Sequence, residues 1–455
     1  MTEAEREALI QQLLTRYAGV LRERLAQEPL TLDEIEQRVE DISQVMDTEL
    51  ERRLLERREK PEVPEENQRA CPKCGGRARY RGTEPRQLIT RHGAWTLGRR
   101  RYYCASCRQG FAPLDQALGL DRGETSVQVR LWVAQLAPRV ALGEGNGLLA
   151  CLTGVKLGAS TFERIAVTVG TALRQAERQT ATAHHAGRPP RVERKPRRLY
   201  VSVDGLYAPL REPWKRDGSR GPLVCRYGEC KTAVVYEAQA GPAGDAGVTW
   251  RAYTATFAAS EAFAPLVATL AHRAGHHFAK ELVFLADGQA CNWTLAAGQF
   301  PTALQIVDFQ HAVQHLYLVA HTFFGEGTAP VGPWVEARKE ELLGDQVAAV
   351  GAAIGDLVPR TEEQQKVQRR EIGYFTSNAE RMRYGTFRRH GYHIATGVME
   401  AACKQVVHQR LDQVGMHWRQ ETAEAFVALR AAVLSTVPPD LRPYCRMPGP
   451  KLPGS

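Results

Sequence analysis

The sequence predicts a multidomain α/β protein, and three observations lead there. A chain of 455 residues exceeds one ordinary compact domain, and its 43% of hydrophobic residues can fill several cores. Two Cys-x-x-Cys pairs, Cys71/Cys74 and Cys104/Cys107, bracket a short segment of alternating, strand-like sequence such as Leu97 to Tyr103. Five apolar runs with strand character then follow between residues 199 and 307.

The first 60 or so residues read as a helical hairpin. Leu32, Ile35, Val39, Ile42 and Met46 recur at spacings of three and four, and Thr31 with Glu34 forms a capping box. Its apolar stripe, flanked by Arg52, Arg53, Arg57 and Arg58, either pairs with a second subunit or covers its own protein; self-association is expected. Lys60 to Asn67, with two prolines and no apolar period, is a linker. From about 121 to 180 the pattern is helical again. Leu152 to Glu163 has the form helix, glycine turn, second helix capped by Ser160 and Glu163, which suits a helix-turn-helix or an ordinary helical pair. Residues 182 to 198, rich in proline and arginine, mark a second boundary.

Beyond it the strand-like runs are Leu199 to Val203, Leu223 to Val235, Val248 to Phe257, Leu282 to Ala286 and Leu304 to Val307, with helical segments after the last three. Three strands running on without helices, then strands alternating with helices, is the order of a ribonuclease-H-like core. No internal repeat at a fixed period is present.

The formal net charge is +9, with arginine clusters at Arg99-Arg100-Arg101, at Lys195, Arg197 and Arg198, and at Arg388-Arg389. A basic surface attracts polyanions through counterion release, although exposed arginines are also ordinary solvated surface. No eighteen-residue apolar stretch occurs, and the opening MTEAEREALIQQ reads as a charged helix, not a secretion signal. A cytoplasmic, nucleoid-associated protein with no membrane partner is expected.

Ten cysteines are too few for a disulfide scaffold at this length. Cys71, Cys74, Cys104 and Cys107, with 29 residues between the two pairs, suit one tetrahedral Zn²⁺, and Gly75 and Gly76 suit the turn that aims N–H groups at sulfur. Arg99 to Arg101 beside the second pair would let this ribbon grip a phosphate backbone; otherwise it only holds its neighbours. Cys151, Cys225, Cys230, Cys291, Cys403 and Cys445 are expected to be buried thiols, Cys225 and Cys230 close enough to touch across a turn.

Asp204 and Asp287 each end an apolar run and precede glycine, which puts a carboxylate at a strand end with space beside it. One Asp-Gly is usually a turn. Two in one domain fit the dense oxygen ligands that a pair of Mg²⁺ or Mn²⁺ ions requires for phosphodiester chemistry. A third acid is then expected on a later helix, where Glu400 stands in GVMEAACKQVVHQR with Lys404 one turn on; taken by itself this stretch reads as a surface Glu–Lys pair.

In order, the cysteine pairs, YVSVDG, TAVVYE, FLADG, IVDFQHAVQHL and GVMEAACKQVVHQRLDQVGMHW resemble the ISKra-type insertion-sequence transposases, distant relatives of the Mutator-like group, over residues 65 to 435. The resemblance implies that Asp204, Asp287 and Glu400 form the metal site, with a helical insertion in the 113-residue interval between the last two. It implies cleavage and strand transfer on double-stranded DNA, at terminal inverted repeats and target, by a homodimer or higher homo-oligomer. Asp308 and His311 match the family's Asp-x-x-His, as accessory residues that steady a strand end or touch DNA, or as a helix cap with an inward histidine. Where that family has Gly-Ser-Gly before the glutamate helix, this chain has Ala395-Thr396-Gly397. A nuclease or resolvase without joining activity, and a silent DNA-binding regulator, are the alternatives.

The expected division is a helical region over 1–62, a zinc ribbon over 66–120 and a helix-turn-helix-like DNA-binding domain over 121–182. The core follows over 198–324, with a helical insertion at 325–390, the Glu400 segment at 391–435 and a tail at 436–455.

Overall fold

The computed structural model describes residues 2–26, 31–59, 67–120, 123–212, 225–240, 246–395 and 397–446. Residues 60–66 of the linker expected at 60–67, Thr396 and the last nine residues lie outside them. The chain divides into two compact units, one of residues 1–137, 142–165 and 441–455, the other of 138–141 and 166–440. Among the described residues no helix is long and apolar enough to cross a membrane.

The first unit opens with α1 (Glu3–Arg24) and α2 (Leu32–Glu59). The capping box forms as the sequence predicts: the Glu34 amide donates to Thr31 Oγ1 at 3.3 Å and the Thr31 amide to Glu34 Oε2 at 2.9 Å. Val20 is the single buried apolar residue in this hairpin among those described, and Leu14, Leu25, Leu32 and Val39 are exposed.

A four-stranded antiparallel sheet follows in sequence order, β1 (Gln68–Ala70), β2 (Arg77–Thr90), β3 (Gly93–Cys104) and β4 (Gln109–Phe111). Two small cores flank it. Cys71, Ala78, Tyr102 and Cys104 fill one, and Leu88, Leu97 and Leu120 the other, at the opposite end of the long β2–β3 hairpin. Then come α3 (Pro113–Ala117), α4 (Val127–Leu136), α5 (Leu142–Thr153) and α6 (Ala159–His185), which belongs to the second unit from Ala166 onward. Helix α6 begins at Ala159, and the Gly158 carbonyl accepts from Thr161 and Phe162. Ser160 therefore lies inside the first turn and is not the cap that the sequence suggests.

The second unit is built on one five-stranded sheet. Its strands are β5 (Arg198–Arg211), β6 (Cys225–Ala240), β7 (Ala246–Thr256), β8 (Glu281–Ala286) and β9 (Leu304–Val307), in the order β7-β6-β5-β8-β9. The first three pair antiparallel, whereas β8 joins β5, and β9 joins β8, in parallel. Parallel neighbours need crossovers, and α7 (Ser260–Arg273) and α8 (Ala290–Gln299) supply them. Helix α9 (Phe309–Phe324) leaves β9, and α10 (Val331–Leu343), α11 (Val347–Gly355), α12 (Glu362–Ser377) and α13 (Tyr384–Arg389) follow without a strand.

The chain returns to the sheet through α14 (Gly397–Cys403), a π-helical turn over Lys404–His408 and α15 (Gln409–Leu411). A π turn leaves backbone carbonyls off the α-helical ladder. Buried Arg430, on α16 (Gln420–Leu434), meets them, donating through Nε to Gln405 O at 2.8 Å and Val406 O at 3.0 Å. Helix α16 also packs against α6 with backbones in contact: a Cβ at Gly170 would stand 2.3 Å from the Ala425 carbonyl oxygen. Any side chain there forces the helices apart. After α16, Ser435 and Thr436 hydrogen-bond the backbone of β7, so that edge is not left open.

Candidate functional site

Strand register carries the first two acids together. Ser202 of β5 pairs with Leu285 of β8 in parallel. Two residues further on stand Asp204 and Asp287, level with each other; Asp287 directly follows β8, but Asp204 lies midway along β5, which runs on to Arg211 against β6, so the strand end expected at Asp204 is not there. The same step relates β8 to β9, where Ala286 pairs with Val307 and the Asp308 amide donates to the Ala286 carbonyl at 2.8 Å. Asp308 thus follows as a third acid in line.

Each acid is oriented differently. Asp204 is partly buried, its Oδ1 accepts from the Gly205 amide at 2.7 Å, and the Cys403 thiol on α14 lies 3.7 Å from Oδ2. Burial pushes its pKa up, the nearby Asp287 charge adds to the rise, and the Gly205 amide and His311 oppose it. Asp287 Oδ1 accepts from the Gln289 amide at 3.0 Å and from Asn292 Nδ2 at 2.8 Å. Asp308 is fully buried and caps α9, accepting from the Gln310 amide at 2.8 Å and facing His311 Nδ1 at 2.9 Å. That bond first, then the charges of Asp308, Asp287 and Asp204, raise the His311 pKa. Asp308 is therefore a helix cap, and its histidine faces the acids.

Glu400 is more exposed. It forms an ion pair with Lys404 at 2.7 Å, its side chain 67% accessible, and this partner lowers its pKa. The surface Glu–Lys pair anticipated from the spacing is present. Glu400 nevertheless lies one helical turn before Cys403, which touches Asp204, and it shares the field of His311. Carboxylates are hard oxygen donors, but among the described residues only the four cysteines cluster closely enough to share one metal ion, and Asp204, Asp287 and Glu400 do not.

Several site neighbours carry no sequence signal. Gly288 has φ +93°, and a Cβ there would stand 2.8 Å from Tyr374 of α12. The Tyr374 hydroxyl donates to the Asp287 carbonyl at 3.1 Å, and its ring stacks on His315 at 3.7 Å. His315 Nδ1 bonds buried Glu371 at 2.5 Å, and Arg370 pairs with the same carboxylate at 2.6 Å. Only the apolar spacing of α12 could have hinted that this helix faces inward.

In the other unit, the Sγ atoms of Cys71, Cys74, Cys104 and Cys107 all lie within 4.8 Å of one another. Cys71 and Cys107 are 3.6 Å apart, Cys74 and Cys104 3.5 Å. Gly75 takes φ +71° in the first knuckle, and its amide donates to the Cys71 carbonyl at 2.9 Å. The Cys107 amide, donating to the Cys104 sulfur, is the largest influence that brings the Cys104 pKa down to about 6. Four clustered thiols, one already inclined to thiolate, can hold one zinc ion.

The remaining cysteines depart from expectation. Cys230, Cys403 and Cys445 are buried, but Cys151, Cys225 and Cys291 are exposed. Cys225 and Cys230 stand five residues apart on the extended strand β6, so no turn brings them together.

The arginine clusters divide. Arg99 forms an ion pair with Asp115, Arg100 stacks on Tyr80 at 4.1 Å, and Arg101 lies 3.7 Å from Glu84. Arg198 pairs with Glu281 at 2.6 Å and stacks on Tyr392 at 4.2 Å. Arg389 pairs with Asp345 at 3.2 Å, Lys195 sits over Phe278 at 5.3 Å, and Arg197 and Arg388 are exposed. Arg99 and Arg198 are thus half-buried, each held by an acidic partner.

No protein-family model matches this chain, and no curated protein matches it. Among solved structures, the Drosophila P element transposase strand transfer complex aligns with a TM-score of 0.24 and 9% identity, over 70% of this chain and 81% of that one. A superposition that loose fixes neither fold nor activity, which rest on the chain's own residues.

Proposed function

We propose that this protein is a DDE-type DNA transposase that binds the ends of an insertion sequence and catalyses metal-dependent cleavage and strand transfer. The observation that carries this is the register that sets Asp204, within β5, level with Asp287, just past the end of the parallel strand β8, with α14 bringing Cys403 onto Asp204 and Glu400 one turn away. The mixed sheet order β7-β6-β5-β8-β9 supports a ribonuclease-H-like core, and the run of helices from α10 to α13 supports a helical insertion within it.

Asp204, Asp287 and Glu400 would hold Mg²⁺ or Mn²⁺, which when bound activates a water or 3′-hydroxyl and stabilises the leaving oxygen. The protein's own part is to aim the donors. The Gly205 amide and Cys403 orient Asp204, Asn292 and the Gln289 amide orient Asp287, and Asp308 holds His311 beside both charges. The four-cysteine ribbon would carry structural Zn²⁺ and, with the helices over 121–182, meet double-stranded DNA. The exposed leucines of α1 and α2 would pair two copies, one for each element end.

The test is cleavage and joining, with Mg²⁺ or Mn²⁺, of duplexes carrying the sequences that flank the gene. Wild type should cut and join, and Asp204→Ala, Asp287→Ala and Glu400→Ala should bind DNA and do neither. Cleavage without joining would make the protein a nuclease or resolvase. The Glu400–Lys404 ion pair favours one other reading, a silent DNA-binding regulator, and a wild type that binds without cutting would establish it.

A further inference from the structure

Residues 67–111 contain eleven basic side chains and one acidic one, Glu84, a net +10 in a chain whose total is +9. Without this ribbon the protein is close to neutral. The sheet sorts those charges by face. Strand register puts Arg79 opposite Tyr103 and Arg77 opposite Ala70. The buried residues Ala78, Tyr102 and Cys104 point the other way, into the core beside the cysteines. Arg81, at the bulge between Tyr80 and Gly82, lies over the Tyr103 ring at 5.7 Å. Arg101 comes up on the same face, against Gly110 and 3.7 Å from Glu84, the ribbon's one acid.

Three further arginines are held elsewhere. Arg86 and Arg99 converge on Asp115 of α3, which covers the far end of this face. Arg100 lies over Tyr80, on the opposite side. Among the described residues Arg77 and Arg79 have no acidic partner, and both are exposed.

We infer that the outward face formed by Arg77, Arg79, Arg81 and Arg101 around Tyr103 is the docking surface for the sugar–phosphate backbone of double-stranded DNA. The inference deepens the proposed function, on which it rests for the choice of DNA. Alternate residues of a strand stand about 6.8 Å apart, twice the ~3.4 Å axial rise per phosphate of one DNA strand, so successive arginines can reach a regular phosphate array. A single strand is bound differently, by bases stacking on open aromatic rings. Here the rings are taken: Arg81 covers Tyr103, Arg100 covers Tyr80, and Tyr102 is buried. Such a face holds backbone without reading sequence.

The experiment measures full-length protein binding to a fluorescent random-sequence DNA duplex across a salt series. The proteins are wild type, Arg77→Gln, Arg79→Gln, the double variant, and Arg369→Gln on α12 as an exposed control. Each ribbon substitution should flatten the plot of log K against log salt by about 0.9, and the double variant by about 1.8. The loss should be the same on unrelated duplexes, and the control should match wild type. Zinc content and thermal midpoint are measured on every variant, so a folding defect is not mistaken for a lost contact. Unchanged slopes in well-folded, zinc-loaded variants overturn the inference, as does a wild type that prefers single-stranded DNA or duplex RNA through these arginines. The outcome is separable from the transposase reading: a wild type that binds duplex through this face but never cuts it defeats only that reading.

Discussion

The hydroxyl of Tyr374 donates a hydrogen bond to the main-chain carbonyl of Asp287 at 3.1 Å, across 87 residues of chain. Its ring lies where a side chain at residue 288 would be, so the left-handed Gly288 and the tyrosine are matched. The stack on His315, held by buried Glu371, leaves the ring little freedom.

Tyr374→Phe keeps the packing and removes that one bond. The expected loss of stability is about 0.5–1.5 kcal/mol. If the bond also sets the carboxylate of Asp287, half-maximal cleavage should need several-fold more Mg²⁺ than in wild type. A magnesium titration of cleavage rate checks this, and an unaltered requirement would leave Tyr374 a packing residue only.

Lys404→Ala tests the bland account of Glu400. The pair is exposed, so its loss should change stability by less than about 0.5 kcal/mol in a thermal melt. Cleavage should survive Lys404→Ala and disappear in Glu400→Ala. Equal behaviour of the two variants would mean that Glu400 matters only as the partner of the lysine.

Metal analysis should find one zinc per chain, and none in Cys104→Ser. Because the four thiols assemble only in the folded ribbon, zinc binding of roughly 10–16 kcal/mol acts as folding energy for this module. A strong chelator should therefore expose residues 67–111 to proteolysis while the second unit stays intact. A ribbon that resists protease equally with and without metal would contradict this.

His276 bears on acid stability. Its ring lies among His272 and His277, at centroid distances of 6.2 and 4.6 Å, and burial first, then the charge of His277, lower its pKa to about 4. The unfolded chain takes up this proton near the usual value of about 6.5, before the folded one does. Its contribution is thus present above about 6.5 and is lost as pH falls from there towards 4. In denaturant titrations His276→Gln should lose stability less steeply than wild type across that window, and identical slopes would rule the histidine out.

What this sequence determined by itself is what few residues decide locally. The Thr31–Glu34 cap, the apolar runs that became β5 to β9, and the two cysteine knuckles are legible because each depends on periodicity, on a neighbouring side chain or on the spacing of ligands. The strand end at Asp287 was legible for the same reason, but the one expected at Asp204 was not there, because β5 runs on to Arg211. The alignment of the two acids was not legible, since it depends on the register of β5 against β8, 83 residues away. Tertiary structure alone put Cys403 on Asp204, Tyr374 on Asp287 and Asp115 under Arg99. It alone divided Arg99, Arg100 and Arg101 among three environments. Alternation along a strand tells which side chains share a face, but what covers that face is supplied by distant segments of the chain.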